Sequence, residues 1–171
     1  MMKPIFYSSL FLCLSLLASS CSKKDETNDS QFLGTWKLTS YAIDLALDIN
    51  NDGEKNLNLL TELDCETNEV LKFDNTGVVS STNTFQHDIK IFKKEADLEM
   101  YGVEVECAEG AIGFATTYLP IGENTVVFNT IEATVDGNQL SRTITDGIAI
   151  YNEDLSEVVE TKSVTLIYSK Q

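Results

Sequence analysis

The residues best suited to chemistry stand in Asp48-Ile49-Asn50-Asn51-Asp52-Gly53-Glu54. Side-chain oxygens at alternate positions, followed by a glycine for the sharp turn, are how a calcium loop wraps a hard cation. Asp48, Asn50 and Asp52 would supply side-chain oxygens, Glu54 its backbone carbonyl, and Asn56 a ligand directly or through water. The twelfth position of such a loop needs a bidentate acid, and Leu59 stands there, so Glu62 or Asp64 is left to close the site from a neighbouring element. Without that closure the affinity expected is on the order of 10⁻⁴–10⁻³ M, as in extracellular modules. The same residues favour an ordinary solvated turn on their own, and both readings stay open at this stage.

Other chemistry is sparse. Glu104 and Glu106 fall on one face of a candidate strand and Val103, Val105 and Cys107 on the other, which reads as a solvated outer face. The single histidine, His87, lies in a polar stretch and rules out His-rich metal sites. No Gly-x-Ser-x-Gly, His-Glu-x-x-His, P-loop or Cys-x-x-Cys occurs, so the expectation is a non-catalytic protein. The chain sets 27 Asp and Glu against 12 Lys and Arg, a net charge of −15, with Arg142 its sole arginine. Such a balance argues against nucleic acid, which needs cations on the protein to neutralise phosphates. It also favours a soluble monomer, since like charge opposes association.

Four cysteines remain to be placed. Lys3, an apolar run from Ile5 to Leu17, and then Ala18-Ser19-Ser20 have the order of a secretory signal, with an apolar run too short to span a bilayer. Because Cys21 follows directly, residues 1–20 resemble a bacterial lipoprotein signal, which implies acylation of Cys21 and attachment of the protein to a membrane. Ser22-Lys23-Lys24-Asp25-Glu26 resembles the tag that sends some lipoproteins of Gram-negative bacteria to the cell-surface side of the outer membrane, and residues 21–31 read as a polar tether. An exported location permits oxidation, so a disulfide between Cys65 and Cys107 is expected.

The elements that must position these residues are strands. From Phe32 onward, short segments of period-2 alternation are separated by Gly, Asn and Asp, and helical periodicity is confined to about residues 57–64. Trp36, Leu38, Ser40 and Ala42 fall on one face of the first strand. Asp74-Asn75-Thr76-Gly77, Asp136-Gly137-Asn138 and Asp146-Gly147 read as hairpin turns. Further strands are expected at 88–92, 98–107, 113–118, 125–131, 140–145, 148–152 and 163–169. The fold class predicted is all-β, an antiparallel barrel of about eight to ten strands over residues 32–171.

Phe32-Leu33-Gly34-Thr35-Trp36-Lys37-Leu38 and the apolar closing strand Val164 to Gln171 resemble the two ends of lipocalin-like domains of bacterial lipoproteins. Thr145-Asp146 followed by Ile148-Ala149-Ile150-Tyr151 is similar to the second lipocalin signature, with Gly147 where that motif has Tyr. The third signature, an Arg that packs over the Trp, has no counterpart. The resemblance implies a small eight-stranded barrel whose interior is filled by side chains or holds one small apolar or amphipathic ligand. Alternation then gives Trp36, Leu38, Leu71, Phe73, Val103, Val105, Leu140, Ile144, Leu166 and Tyr168 as inward, ligand-lining positions. Two functions follow: a lipid-anchored binding protein with a hollow barrel, or a surface interaction module or inhibitor with a packed barrel and a calcium-ordered loop.

Overall fold

The computed structural model describes residues 29–171. The leader expected over 1–20, the lipid site expected at Cys21 and the expected tether up to residue 28 lie outside them. The described residues are all-β, with twelve strands among them: β1 (Gly34–Leu47), β2 (Asn56–Asn58), β3 (Val70–Phe73), β4 (Val78–Thr82), β5 (Asp88–Lys94), β6 (Asp97–Glu106), β7 (Phe114–Thr117), β8 (Leu119–Pro120), β9 (Thr125–Phe128), β10 (Ile131–Asp136), β11 (Gln139–Tyr151) and β12 (Val158–Lys170). Nine of them follow one hydrogen-bonded path, β7-β4-β3-β1-β12-β11-β10-β9-β8. The two ends of that path are consecutive in the chain, separated by Tyr118 alone. A single extended segment therefore pairs first with β4 and then with β9, and the sheet closes on itself as a nearly complete up-and-down barrel. Tyr118 is the corner: its N–H donates to Gly77 O at 3.0 Å, its hydroxyl to Asp74 O at 2.9 Å, and its ring meets Phe73 edge-on.

Two of the expected turns are hairpins. Asp74 Oδ1 accepts from the N–H groups of Thr76 and Val78, and Gly77 takes a φ of 83° to lead into β4. Those donors, with the Thr76 hydroxyl foremost, hold the Asp74 carboxyl below its usual range. Gly137 and Asn138 link the pair Asp136 and Gln139, with a φ of 57° at the glycine. A third hairpin splits the segment expected as one strand over 125–131. Asn129 and Thr130 both have positive φ, 49° and 63°, and join Phe128 to Ile131. Threonine is a rare occupant of that conformation, and no glycine marks the turn in the sequence.

Asp146-Gly147 is not a hairpin turn, which corrects the expectation of two separate strands there. β11 runs through it, held along its length by β12, and the irregularity between Ile144 and Ile148 is a bulge. Asp146 takes a φ of 52°, and a Cβ on Gly147 would stand 2.9 Å from Val164 Cγ2, so the two residues serve a close crossing of strands. A second bulge, between Leu38 and Ser40 of β1, inverts the alternation. Trp36 and Leu38 face the core below it; above it Ile43 and Leu47 do so, with Tyr41 and Leu45 packed alongside, where the unbroken pattern points Ser40 and Ala42 inward.

The expected helix near 57–64 is a 3-10 turn, Leu59–Thr61, preceded by the short strand β2. Asn58 explains the replacement: its Oδ1 accepts from Tyr41 N on β1 at 2.9 Å and from Leu60 N at 3.2 Å, so one side chain pins the segment to the sheet and caps the turn. The remaining strands extend the wall beyond the barrel. β5 pairs in parallel with the far part of β11 through Ile91 and Ile150, and β6 pairs with β5. On the exterior Glu160 receives Lys162 Nζ at 2.6 Å and Lys93 Nζ at 2.8 Å, which lowers its pKa from 4.5 to about 2. A carboxylate whose folded pKa is depressed contributes stability that is present above 4.5 and lost as pH falls towards about 2. Acid denaturation of Glu160→Gln should accordingly lack that part of the wild-type slope, and an unchanged slope would contradict the assignment.

Candidate functional site

The Asp48–Glu54 loop turns out from the end of β1 and is wound on its own side chains. Asp48 accepts from Asp52 N at 3.1 Å and Gly53 N at 3.0 Å, Asn50 Oδ1 from Asp52 N at 3.0 Å, and Asp52 Oδ1 from Glu54 N at 2.8 Å. Asn50 Nδ2 also donates to Asp52 Oδ2, so the three side chains at alternate positions converge. Glu62, expected as the closing ligand, is buried and acts as the loop's anchor. Its Oε2 accepts from Ile49 N at 3.0 Å, and its Oε1 accepts from Asn56 Nδ2. Asn56 thereby faces Glu62, and the Glu54 and Asp52 side chains stay exposed. Among the described residues no group of three or more His, Cys, Asp or Glu side chains is placed to hold a metal.

A second feature is a cleft of about 380 Å³ lined by residues 66–69, 83–87, 108 and 110–111. Cys65 and Cys107 form the expected disulfide, with Cα atoms 5.4 Å apart, and tie the two sides of this cleft together. His87 bridges the same two sides. Its Nδ1 accepts from Ala108 N at 3.0 Å, which leaves Nε2 to carry the proton toward Glu66 O at 3.1 Å. The residue read as a polar loop histidine is a clamp, built where β5 begins and β6 ends.

The cleft reaches Glu69, the third feature and one that periodicity does not reveal. Glu69 is buried between the cleft and the barrel, with Oε2 accepting from Phe85 N at 2.8 Å and Oε1 from the Tyr168 hydroxyl at 3.0 Å. Burial raises the Glu69 carboxyl above its ordinary range, against the pull of those donors and of the Arg142 charge. Burial and the neighbouring carboxylate likewise raise the Tyr168 phenol. The sole arginine is thus an interior residue. Arg142 lies over the Phe128 ring at 4.7 Å, and its Nε has no hydrogen-bond partner among the described residues. The signal available in the sequence was the isolation of one arginine inside an alternating strand.

The inward positions expected from alternation divide into three groups. Trp36, Leu71, Leu140 and Tyr168 are 0% exposed, and Leu38, Phe73 and Leu166 are buried with them in one core. Ile144 and Val103 are partly buried against that core. Val105 is half-buried and stands outside it, because β6 belongs to the added hairpin and not to the barrel wall. Trp36 donates from Nε1 to Phe32 O at 2.8 Å and is covered by Lys170, whose Nζ lies 5.0 Å from the ring and bonds Gln31 O. A cation therefore does pack over this tryptophan, supplied by lysine from the last strand.

A residue with no accessible surface has no water-sized void beside it, so the space around Trp36, Leu71, Leu140 and Tyr168 is solid protein. Compared with models of protein families, with curated proteins and with solved structures, the chain matches none.

Proposed function

We propose that the protein is a non-catalytic, lipid-anchored interaction module of the cell surface, with Cys21 as its acylated residue and the outer membrane as its site. The observation that carries this reading is the filled barrel. A carrier of an apolar molecule needs a lined cavity, and the positions that would line it at the barrel's base are in contact with one another. The run of the chain supports the same reading. Gln31, where the tether enters, is bonded by Lys170 at one end of the molecule, and β1 then carries the chain roughly 40–45 Å away from it. The turns at 48–55, 95–96 and 152–157 lie at that far end, linked by Glu95 N donating to Glu153. An anchor at one end leaves these acidic turns facing outward.

The Asp48–Glu54 loop belongs to this outward end, and its converging oxygens support calcium as the ion that stiffens it. One experiment addresses both parts. Native mass spectrometry of the chain after incubation with a membrane lipid extract should show no retained lipid inside the barrel; a lipid-sized adduct that survives detergent release would return the hollow-carrier reading. Calcium should raise the melting temperature of the wild type and leave Asp52→Ala unmoved. An equal rise in the two proteins would remove the ion from the loop.

A further inference from the structure

The two ends of the barrel differ in kind. At the end where the chain enters, Lys170 bonds Gln31 O, and the turns at 74–77, 121–124 and 137–138 lie around it. The segment that closes the barrel passes through this rim. After the buried corner Tyr118 it presents Leu119, at 64% the most exposed large apolar side chain among the described residues, and Ile121, 50% exposed. Register explains their direction. Leu119 pairs with Val127, which stands between the buried Val126 and Phe128, so it points out of the barrel, and alternation carries Ile121 to the same side. The pair is held from both directions: Tyr118 donates to Gly77 O and Asp74 O before it, and Ile121 N donates to Thr125 O at 3.0 Å after it. Two apolar side chains are thus fixed in contact with water, and burial against an apolar phase would stabilise both.

We propose that Leu119 and Ile121 are seated in the interfacial layer of the bilayer to which Cys21 anchors the chain, so that the barrel stands with this rim against lipid. The inference rests on the lipid-anchor reading above and adds the surface that the anchor holds to the membrane. Chain length argues for this occupant. Cys21 lies eight residues before Asp29, and eight residues reach at most about 30 Å. A tether this short keeps the rim at high effective concentration beside the bilayer, so a patch of two side chains can bind that would not hold by itself. The opposite end of the molecule stands a further 40–45 Å or so away along β1. Charge agrees. Near the rim Lys37, Lys72 and Lys170 stand with Asp74, Glu123, Glu132 and Asp136, so opposite charges nearly balance, whereas the turns at 48–55 and 152–157 set six acids against Lys55. A nearly neutral rim meets little electrostatic opposition at a zwitterionic bilayer. A second copy of the chain would bring together two molecules of net charge −15 over the same small patch.

The test uses the full acylated chain in phosphatidylcholine vesicles, with and without bromine on the lipid acyl chains, since bromine quenches a tryptophan that touches lipid. Leu119→Trp should lose emission in the brominated vesicles. Val158→Trp, at an apolar position 48% exposed near the other end, should lose none beyond wild type, whose Trp36 is 0% exposed. Both substitutions fall on exposed side chains and leave the core as it is. The proposal is overturned if neither variant loses emission, if both lose it equally, or if Leu119→Trp shifts to the blue with protein density and not with lipid, the result expected of a second copy over the patch. The two readings fail separately. An anchored chain with Leu119→Trp unquenched rejects this contact alone, whereas a chain that carries no acyl group and stays off the vesicles rejects the anchor and the contact with it.

Discussion

Glu69→Ala should lower stability by about 2–4 kcal/mol, the cost of leaving buried hydrogen-bond donors without their acceptor at about 1–3 kcal/mol each. Two donors lose their acceptor at once, and a nearby cation loses a counter-charge. The Tyr168 hydroxyl and the Phe85 N–H each lose an acceptor, and the Arg142 guanidinium loses the carboxylate whose field it feels. Arg142 Nε is already without an acceptor, and its guanidinium lies over the Phe128 ring. Replacing the whole set, Glu69→Leu with Arg142→Met and Tyr168→Phe, should recover most of the loss, because an apolar set of similar volume requires no desolvation of charge. Urea denaturation of the single and triple variants gives the comparison. A single variant within about 1 kcal/mol of wild type would show that water reaches Glu69 through the cleft and that the burial assigned to it is wrong.

Removal of the disulfide should cost roughly 3–4 kcal/mol, the value expected in the chain-entropy model for a loop of this length. Cys65 and Cys107 are separated by 42 residues, a span that contains β3 to β6. Cys65→Ser with Cys107→Ser should therefore unfold at markedly lower urea than wild type. Wild type in strong reductant should fall to the same midpoint. A local effect accompanies the global one. The bridge holds residues 65–68 against 107–111, where His87 makes its two bonds. Amide exchange at Ala108 should quicken in the variant before the barrel opens. Equal midpoints for oxidised and reduced protein would mean that the unfolded chain gains no freedom when the bridge opens.

The turn chemistry and the bridge were legible because each is written in adjacent residues or in residue type. Asp74 with Gly77, and Gly137 with Asn138, declare their hairpins through positive φ and short side-chain bonds. The Asn129-Thr130 hairpin was hidden because threonine occupies a conformation usually reserved for Gly, Asn or Asp, and the β10 neighbours supply the contacts that hold it there. Asp146-Gly147 misled in the opposite direction. The dipeptide offers a turn, and the pairing with β12 on both sides of it converts the turn into a bulge.

The site was legible to a lesser degree. Asp48, Asn50 and Asp52 do converge, as their spacing requires, but the role of Glu62 depends on where the segment after β2 lies. Spacing along the chain offered Glu62 as a metal ligand; its burial against Ile49 N and Asn56 makes it an anchor.

By itself the sequence determined the all-β class, the Cys65–Cys107 pairing and the inward direction of Trp36, Leu71, Leu140 and Tyr168, because period-2 alternation and residue type are local properties. The tertiary structure alone decided the rest. The bulge at Leu38 and Ser40 exchanges the faces of β1, Tyr118 closes the barrel by passing one segment between two partners, and β5 joins β11 in parallel with β6 left as an edge. Glu69, Arg142 and Tyr168 meet across 99 residues of chain. Each of these depends on which distant backbone groups pair, and the free energy of a pairing is set by the surfaces that closure buries, which no window of neighbouring residues contains.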